Sequence, residues 1–197
     1  MTIILVLGTF LFFILIDFFM NRKSLNQVST TEAAPAAQQP LLSSASIEGF
    51  LVPDQLRYHA GHTWLAEERP HLARVGADSL AARTLASIDK VEIPKPGRWV
   101  RQGQKAFTFW AGTERFDLVA PAEGEVTEIN PEVMRDPSLI LNDPYGKGWF
   151  VKINMPDPDL VEHNLLPKSI VRTWMREEIK QYRASHPVVR ASAVNDR

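Results

Sequence analysis

The sequence predicts a mainly β domain with peripheral helices, preceded by an apolar segment at the N-terminus. Phe107, Phe109 and Phe116 lie on either side of Gly112 at alternating positions, which is typical of two half-buried strands joined by a tight turn. Between residues 170 and 182, apolar residues recur instead at the spacing of a helix. The N-terminal segment is almost entirely apolar and therefore differs in character from the domain that follows.

Composition excludes several classes of function. The 197 residues carry a formal net charge of −1 and contain no basic motif with interleaved aromatic residues, so nucleic-acid binding is not predicted. The absence of cysteine excludes disulfide bonds and thiolate metal sites within this sequence. It does not identify the compartment, because a sequence without cysteine is compatible with either side of a membrane.

The N-terminal apolar run predicts a single transmembrane anchor at residues 1–22. From Ile3 to Met20, a helix with a rise of about 1.5 Å per residue would cross a bilayer core, and no basic segment of a signal peptide precedes it. Two basic residues, Arg22 and Lys23, follow the run, so the positive-inside rule places the domain in the cytoplasm, at the inner (cytoplasmic) membrane.

One acidic residue, Asp17, lies inside this predicted span. Because it falls within a turn of the cytoplasmic end, it can act as an interfacial carboxylate near Arg22. The alternative is a polar contact with a partner helix, since an acid within a membrane span usually marks a function.

A tether is predicted at residues 23–46, where Ser, Thr, Gln, Ala and Pro dominate. As a flexible chain it would have an end-to-end distance of roughly 25 Å. The remaining predicted boundaries are a domain at 47–160, a C-terminal helix at 161–183 and a disordered tail at 184–197.

A series of motifs in the domain matches one known family. In chain order they are Tyr58, His62-Thr63-Trp64, Val75-Gly76-Ala77, Val91-Glu92-Ile93-Pro94, Gly97, Val100, Gly103, Pro121-Ala122-Glu123-Gly124-Glu125-Val126 and Asn142-Asp143-Pro144-Tyr145-Gly146-Lys147-Gly148-Trp149. This series resembles the H-protein of the glycine cleavage system. The resemblance implies a lipoyl/biotinyl-like flattened β-barrel (a barrel-sandwich hybrid) with peripheral helices. It also implies a shuttle that carries an aminomethyl group on a lipoylated lysine between a decarboxylase, an aminomethyltransferase and dihydrolipoamide dehydrogenase.

The chain departs from the family at the tip of the hairpin that carries this lysine. The family has Glu-Ser-Val-Lys-Ala-Ala there, whereas this sequence has Trp110, Ala111, Gly112, Thr113, Glu114 and Arg115. Threonine has no amine for a lipoyl amide. The nearest lysines in sequence are Lys95 and Lys105, and even Lys105 would lie over about 20 Å away along a strand. We therefore predict that the chain carries no lipoyl cofactor.

The hairpin tip is instead a candidate interaction surface, formed by Trp110, Gly112, Thr113, Glu114 and Arg115. Trp110 occupies a position where the family has a carboxylate. It can pack against its own sheet, or it can belong to a protein contact surface, where tryptophan is favoured.

The C-terminal helix has an apolar face, which we expect to pack on the barrel as in the family. A basic stripe formed by Lys168, Arg172, Arg176 and Lys180 runs beside that face. Such a stripe is either a solvated face or a surface for anionic lipid headgroups.

No catalytic or metal site is predicted. His59 and His62 would point to opposite faces of a strand, and no third ligand accompanies them. The His-x-Trp motif is better explained by packing and hydrogen bonding. No serine–histidine–acid or paired-carboxylate spacing is recognisable.

The sequence therefore predicts a membrane-anchored, non-lipoylated module that is not an enzyme. It would act as a docking or structural subunit of a membrane-associated complex, with protein partners. One alternative is an H-protein-type carrier or accessory in glycine or one-carbon metabolism, modified at an unexpected residue. The other is an accessory subunit of an electron-transport or transport complex.

Overall fold

The computed structural model describes residues 44–186, which hold eleven strands and five helices. The strands are β1 (Ser44–Ile47), β2 (Phe50–Pro53), β3 (Arg57–His59), β4 (Thr63–Arg69), β5 (Leu72–Ala77), β6 (Lys90–Glu92), β7 (Trp99–Val100), β8 (Lys105–Ala111), β9 (Glu114–Val119), β10 (Gly124–Ile129) and β11 (Val151–Asn154). The helices are α1 (Ser79–Leu85), α2 (Pro131–Arg135), α3 (Leu139–Asn142), α4 (Pro158–His163) and α5 (Lys168–Ser185).

Two larger sheets and one small hairpin sheet make up the architecture. The six-stranded sheet has the order β3-β4-β5-β11-β10-β7, the three-stranded sheet has the order β6-β8-β9, and β1 pairs with β2 alone. Every pairing among these strands is antiparallel. The prediction of a mainly β domain with peripheral helices is confirmed.

A core of aromatic and aliphatic side chains joins the two larger sheets. Phe107 and Phe109 project from β8 and are fully buried, with ring centroids 5.3 and 5.1 Å from that of Phe150, which directly precedes β11. Because alternate residues of a strand point to one face, these two side chains fix β8 against the larger sheet. The position of the hairpin that β8 forms with β9 is thus set by the core.

A second apolar cluster joins β1 and β2 to the C-terminal helix α5. Met175 and Ile179 of α5 are fully buried in it, together with Trp64 of β4. Phe50 of β2 meets Tyr182 edge-on at 6.1 Å between ring centroids. The predicted packing of the helix on the barrel is confirmed, and the N-terminal hairpin shares the same cluster.

Several predicted boundaries differ from those of the described structure. Strand β1 begins at Ser44, three residues before the predicted domain start at residue 47. The predicted helix at 161–183 is instead two helices, α4 and α5, because the non-helical residues 164–167 separate them, and α5 continues to Ser185. Ile170 was expected on the apolar face, but 45 % of its surface is exposed.

No helix within residues 44–186 combines the length and the apolar character of a membrane span. The predicted anchor at residues 1–22 and most of the predicted tether at 23–46 lie outside the described residues, as does the tail after His186.

His62 connects the barrel to α5. It lies in the turn between β3 and β4 with a φ of 60°, not within a strand as predicted. Its Nδ1 is 2.9 Å from Oδ2 of the buried Asp78, its Nε2 is 3.7 Å from Oε2 of Glu178, and its ring stacks on Trp174 at 5.0 Å. Burial lowers the pKa of His62, but the hydrogen bond and charge of Asp78, with Glu178, raise it above its ordinary value overall. The prediction that this histidine serves packing and hydrogen bonding is confirmed.

Candidate functional site

The candidate site is built on the β8–β9 hairpin. Ala111 pairs with Glu114, so Gly112 and Thr113 alone form the turn. Gly112 has a φ of 60°, a conformation that costs glycine little and that two-residue hairpin turns require at their first central position. Thr113 is exposed at the tip. Thr113, which the sequence analysis predicts to stand at the position of the lysine, thus presents a hydroxyl to solvent.

Asp89, directly before strand β6, braces the tip from one side. The backbone N–H of Asp89 donates to the carbonyl of Trp110 at 2.8 Å, and the carboxylate of Asp89 accepts from the N–H of Gly112 at 2.5 Å. Lys90, the first residue of β6, pairs with Trp110 across the sheet. These bonds extend the three-stranded sheet to within one residue of Thr113.

Trp110 packs on its own sheet. Its side chain is half-buried, and Lys90 Nζ and Arg115 Cζ each lie 5.9 Å from the ring centroid. Cations at this range are attracted to the face of an aromatic ring. The exposed members of the predicted interaction surface are consequently Gly112, Thr113, Glu114 and Arg115.

A charged network continues from the tip along β9. Arg115 Nε donates to the carboxylate of Asp117 at 2.9 Å, and the hydroxyl of Thr108 donates to the same oxygen at 2.8 Å. The Thr108 hydrogen bond, with that of Arg115, lowers the pKa of Asp117. Asp117 is therefore ionised near neutral pH and holds Arg115 along the strand.

The lysines near the hairpin lie at its two ends. Lys105 is the first residue of β8 and pairs with Val119, so it lies at the end opposite to Thr113, as predicted. Lys90 is close to the tip in space, a proximity that the distance along the sequence did not indicate. Its Nζ donates to Glu92 at 2.6 Å, and this bond lowers the pKa of Glu92. The pairing of β6 with β8 places Lys90 beside Trp110, and no pattern in the sequence predicted that pairing.

A groove of about 600 Å³ runs beside the hairpin, and no pattern in the sequence predicted it. Its apolar part comes from α1 and β9, and its polar part comes mainly from β9 and α5. The acidic, basic and histidine residues of its lining are Arg115, Asp117, Glu178, His62 and His186. One wall therefore belongs to the hairpin and another to the C-terminal helix.

The predicted basic stripe lies on the exposed side of α5. Arg172 binds Asp54 at 2.7 Å, and Lys180 binds Glu177 at 2.6 Å. Lys168 and Arg176 are also exposed, and neither forms an ion pair with a residue of the described range 44–186. Contact of this stripe with headgroups stays a prediction.

Comparison with known proteins identifies the family. The sequence model of the family described as glycine cleavage H-protein matches residues 56–178, well over half of the chain. The chain belongs to the glycine cleavage H-protein family. The match includes the hairpin and most of α5, whereas β1 and β2 precede it.

Individual H-proteins show the same relationship. A probable glycine cleavage system H protein of Aeropyrum pernix is 36 % identical over 124 residues, which are 63 % of this chain and 86 % of that protein. The H protein of Streptomyces coelicolor is 34 % identical over 105 residues, or 53 % of this chain and 84 % of that protein. The crystal structure of an H protein from Mycobacterium marinum aligns with a TM-score of 0.53 at 30 % identity, covering 60 % of this chain and 94 % of that chain. The predicted H-protein fold is confirmed.

Proposed function

We propose that this chain is an accessory H-protein of glycine or one-carbon metabolism that binds a partner enzyme without carrying a lipoyl group. Membership of the H-protein family favours this role over a subunit of an unrelated complex. Binding, not catalysis, is the activity of the chain.

The observation that carries the proposal is the exposed Thr113 on an intact hairpin. The turn, its glycine and its bracing by Asp89 are all present, so the tip can be presented to a partner. Lipoyl attachment requires an amine, which Thr113 lacks. The scaffold for partner binding is thus retained while the group that would receive the cofactor is absent.

The proposed contact surface comprises the tip and the adjoining groove wall. Thr113, Glu114 and Arg115 are exposed, and Arg115 also lines the groove between the hairpin and α5. Partly exposed arginine is enriched at protein interfaces, where its planar guanidinium binds carboxylates in a fixed geometry.

We also propose that residues 1–22 hold the domain at the inner membrane, facing the cytoplasm. The support is the apolar run from Ile3 to Met20, with Arg22 and Lys23 directly after it. The partner complex would then be assembled at the membrane surface.

The test is affinity capture of the full chain from its native membranes in mild detergent. We expect glycine cleavage enzymes among the captured proteins, and we expect Glu114→Lys with Arg115→Glu to abolish their capture. The matched control, Lys180→Glu with Glu177→Lys, also exchanges two exposed charges but lies on α5. Capture that both double variants leave unchanged would contradict the proposed surface.

A carrier modified at another residue is the second candidate, and Lys90 is the observation that favours it. Its side chain is 64 % exposed and lies across the sheet from Trp110, near the tip. After co-expression with a lipoate ligase, peptide mapping would show a lipoyl group on Lys90 if this candidate is correct. The modification would then be absent in Lys90→Arg and retained in Lys105→Arg.

A further inference from the structure

A concave basic surface lies on the opposite side of β8 from its contact with β9. It is a groove of about 480 Å³ between β6 and β8 of the smaller sheet and β7 of the larger one. Lys95, Arg98 and Lys105 line it together with Trp99. We call these four residues the basic tryptophan patch.

The cations of this patch are largely without acidic partners. Among residues 44–186, neither Lys95 nor Arg98 forms an ion pair, and Lys105 approaches only Asp117, at 4.0 Å. The one acidic residue that lines the groove, Glu92, is bound to Lys90. The patch thus presents three positive charges to solvent.

Trp99 is unusual because half of a large aromatic side chain is exposed. Its relative exposure is 50 %, although it lies on β7 directly before the buried Val100. Its cross-strand neighbour is the exposed Glu125. Tryptophan is enriched at membrane–water interfaces, where its amphipathic ring lies at the level of the headgroups.

We propose that the basic tryptophan patch binds the anionic headgroups of the membrane to which the chain is tethered. This inference rests on the proposed N-terminal anchor, because a tethered domain meets the bilayer at high effective concentration. Lys95, Arg98 and Lys105 pair with lipid phosphates, and Trp99 enters the interfacial layer. The patch orients the domain on the membrane surface.

The stripe on α5 fits this role less well. Two of its four cations, Arg172 and Lys180, are bound to acidic side chains of the domain, and the tryptophan beside the stripe, Trp174, is only partly exposed. The stripe therefore provides a charge-matched control for the patch.

The experiment uses the full chain in nanodiscs of phosphatidylcholine alone or mixed with phosphatidylglycerol, both with brominated acyl chains that quench tryptophan fluorescence. The sequence has five tryptophans, so the signal of Trp99 is the difference between the wild type and Trp99→Phe. We expect this difference signal to be quenched only in discs that contain phosphatidylglycerol. Raising the salt concentration to about 1 M should remove the quenching, since the Debye length then falls to about 3 Å.

Two double variants then separate the patch from the stripe. Lys95→Glu with Arg98→Glu should reduce membrane contact by well over tenfold, because each basic residue near an anionic surface contributes roughly fivefold in affinity. Lys168→Glu with Arg176→Glu changes the net charge equally and should leave the quenching of Trp99 unchanged. The proposal would be overturned if the stripe variant lost the quenching of Trp99 while the patch variant kept it. It would also be overturned if Trp99 were quenched equally in discs with and without phosphatidylglycerol.

Binding of an acidic protein segment is the competing outcome. If a poly-glutamate peptide bound the wild type but not Lys95→Glu with Arg98→Glu, while Trp99 stayed unquenched in both discs, the patch would be a protein site. Failure of the anchor would be recognised separately, because the chain would then not co-elute with discs of phosphatidylcholine alone.

Discussion

At the scale of single residues, the backbone conformation of the hairpin turn is independent of the chemical group that Thr113 presents. Gly112 supplies the positive φ and Asp89 accepts its N–H, so the turn does not depend on the side chain at Thr113. Thr113 itself is exposed at the tip. The absence of an amine at this position therefore leaves the fold of the tip intact.

The core below the tip depends on the phenylalanines of β8. We predict that Phe109→Ala lowers the free energy of unfolding by about 3–5 kcal/mol, because it leaves a cavity beside Phe150. Urea denaturation followed by circular dichroism measures this loss. Glu114→Ala at the exposed tip is the control and should stay within about 0.5 kcal/mol of the wild type. Equal stability of the two variants would argue against the buried position of Phe109.

Whether the sequence predicts the environment of a residue depends on how far apart in the sequence its contacting residues lie. The exposure of Thr113 could not be predicted from the sequence, whereas the turn at Gly112 follows from local rules of hairpins and was predicted. The proximity of Lys90 to Trp110 was not, because it arises from a strand pairing between distant segments. The half-buried state of Trp110 depends on the same pairing.

At the scale of elements, α5 is held on the barrel by apolar packing and by His62. Helical periodicity predicted the apolar face of α5, and Met175 and Ile179 confirm it. The contact of Glu178 with His62 could not be predicted, since it requires the fold to bring a turn of the larger sheet to a C-terminal helix. The interruption before α5 is set by Pro167, which lacks the N–H of a helix interior.

The packing of α5 gives a prediction with a control on the same helix. Met175→Ala should destabilise the protein by about 2–5 kcal/mol, because Met175 is fully buried in the second apolar cluster. Ile170→Ala removes an apolar side chain that is 45 % exposed and should cost much less. Thermal or urea unfolding of both variants measures the difference, and equal losses would contradict the assigned face.

The His62 contacts make the stability of this region depend on pH. The pKa of His62 is raised in the folded state, so its stabilising contribution is fully present below about pH 6.5, the pKa of an unperturbed histidine. The contribution is lost as the pH rises through the folded-state value. His59, whose pKa is lowered by burial, acts in the opposite direction.

We therefore predict that the stability difference between the wild type and His62→Gln is larger at pH 6 than at pH 8.5. Comparing the two proteins at each pH cancels the effect of His59, which both contain. The measurement is the urea midpoint of each protein at the two pH values. A difference that is constant with pH, or larger at pH 8.5, would contradict protonation of His62 between Asp78 and Glu178.

At the scale of the whole molecule, the H-protein fold is joined to features outside the matched range. Strands β1 and β2 lie before residue 56 and complete the second apolar cluster with α5. The motifs from Tyr58 to Trp149 were sufficient to predict the barrel, because their resemblance to the H-protein family implies that fold. They do not extend to the hairpin of β1 and β2, which was partly assigned to the tether.

The proposed function requires that the chain acts without a lipoyl group. The most direct test is the intact mass of the full chain after co-expression with a lipoate ligase and lipoate, measured beside Thr113→Lys. We predict an unmodified wild type and a Thr113→Lys variant that gains one lipoyl group, because the braced turn presents residue 113 to solvent. A lipoyl group on the wild-type chain would contradict the account.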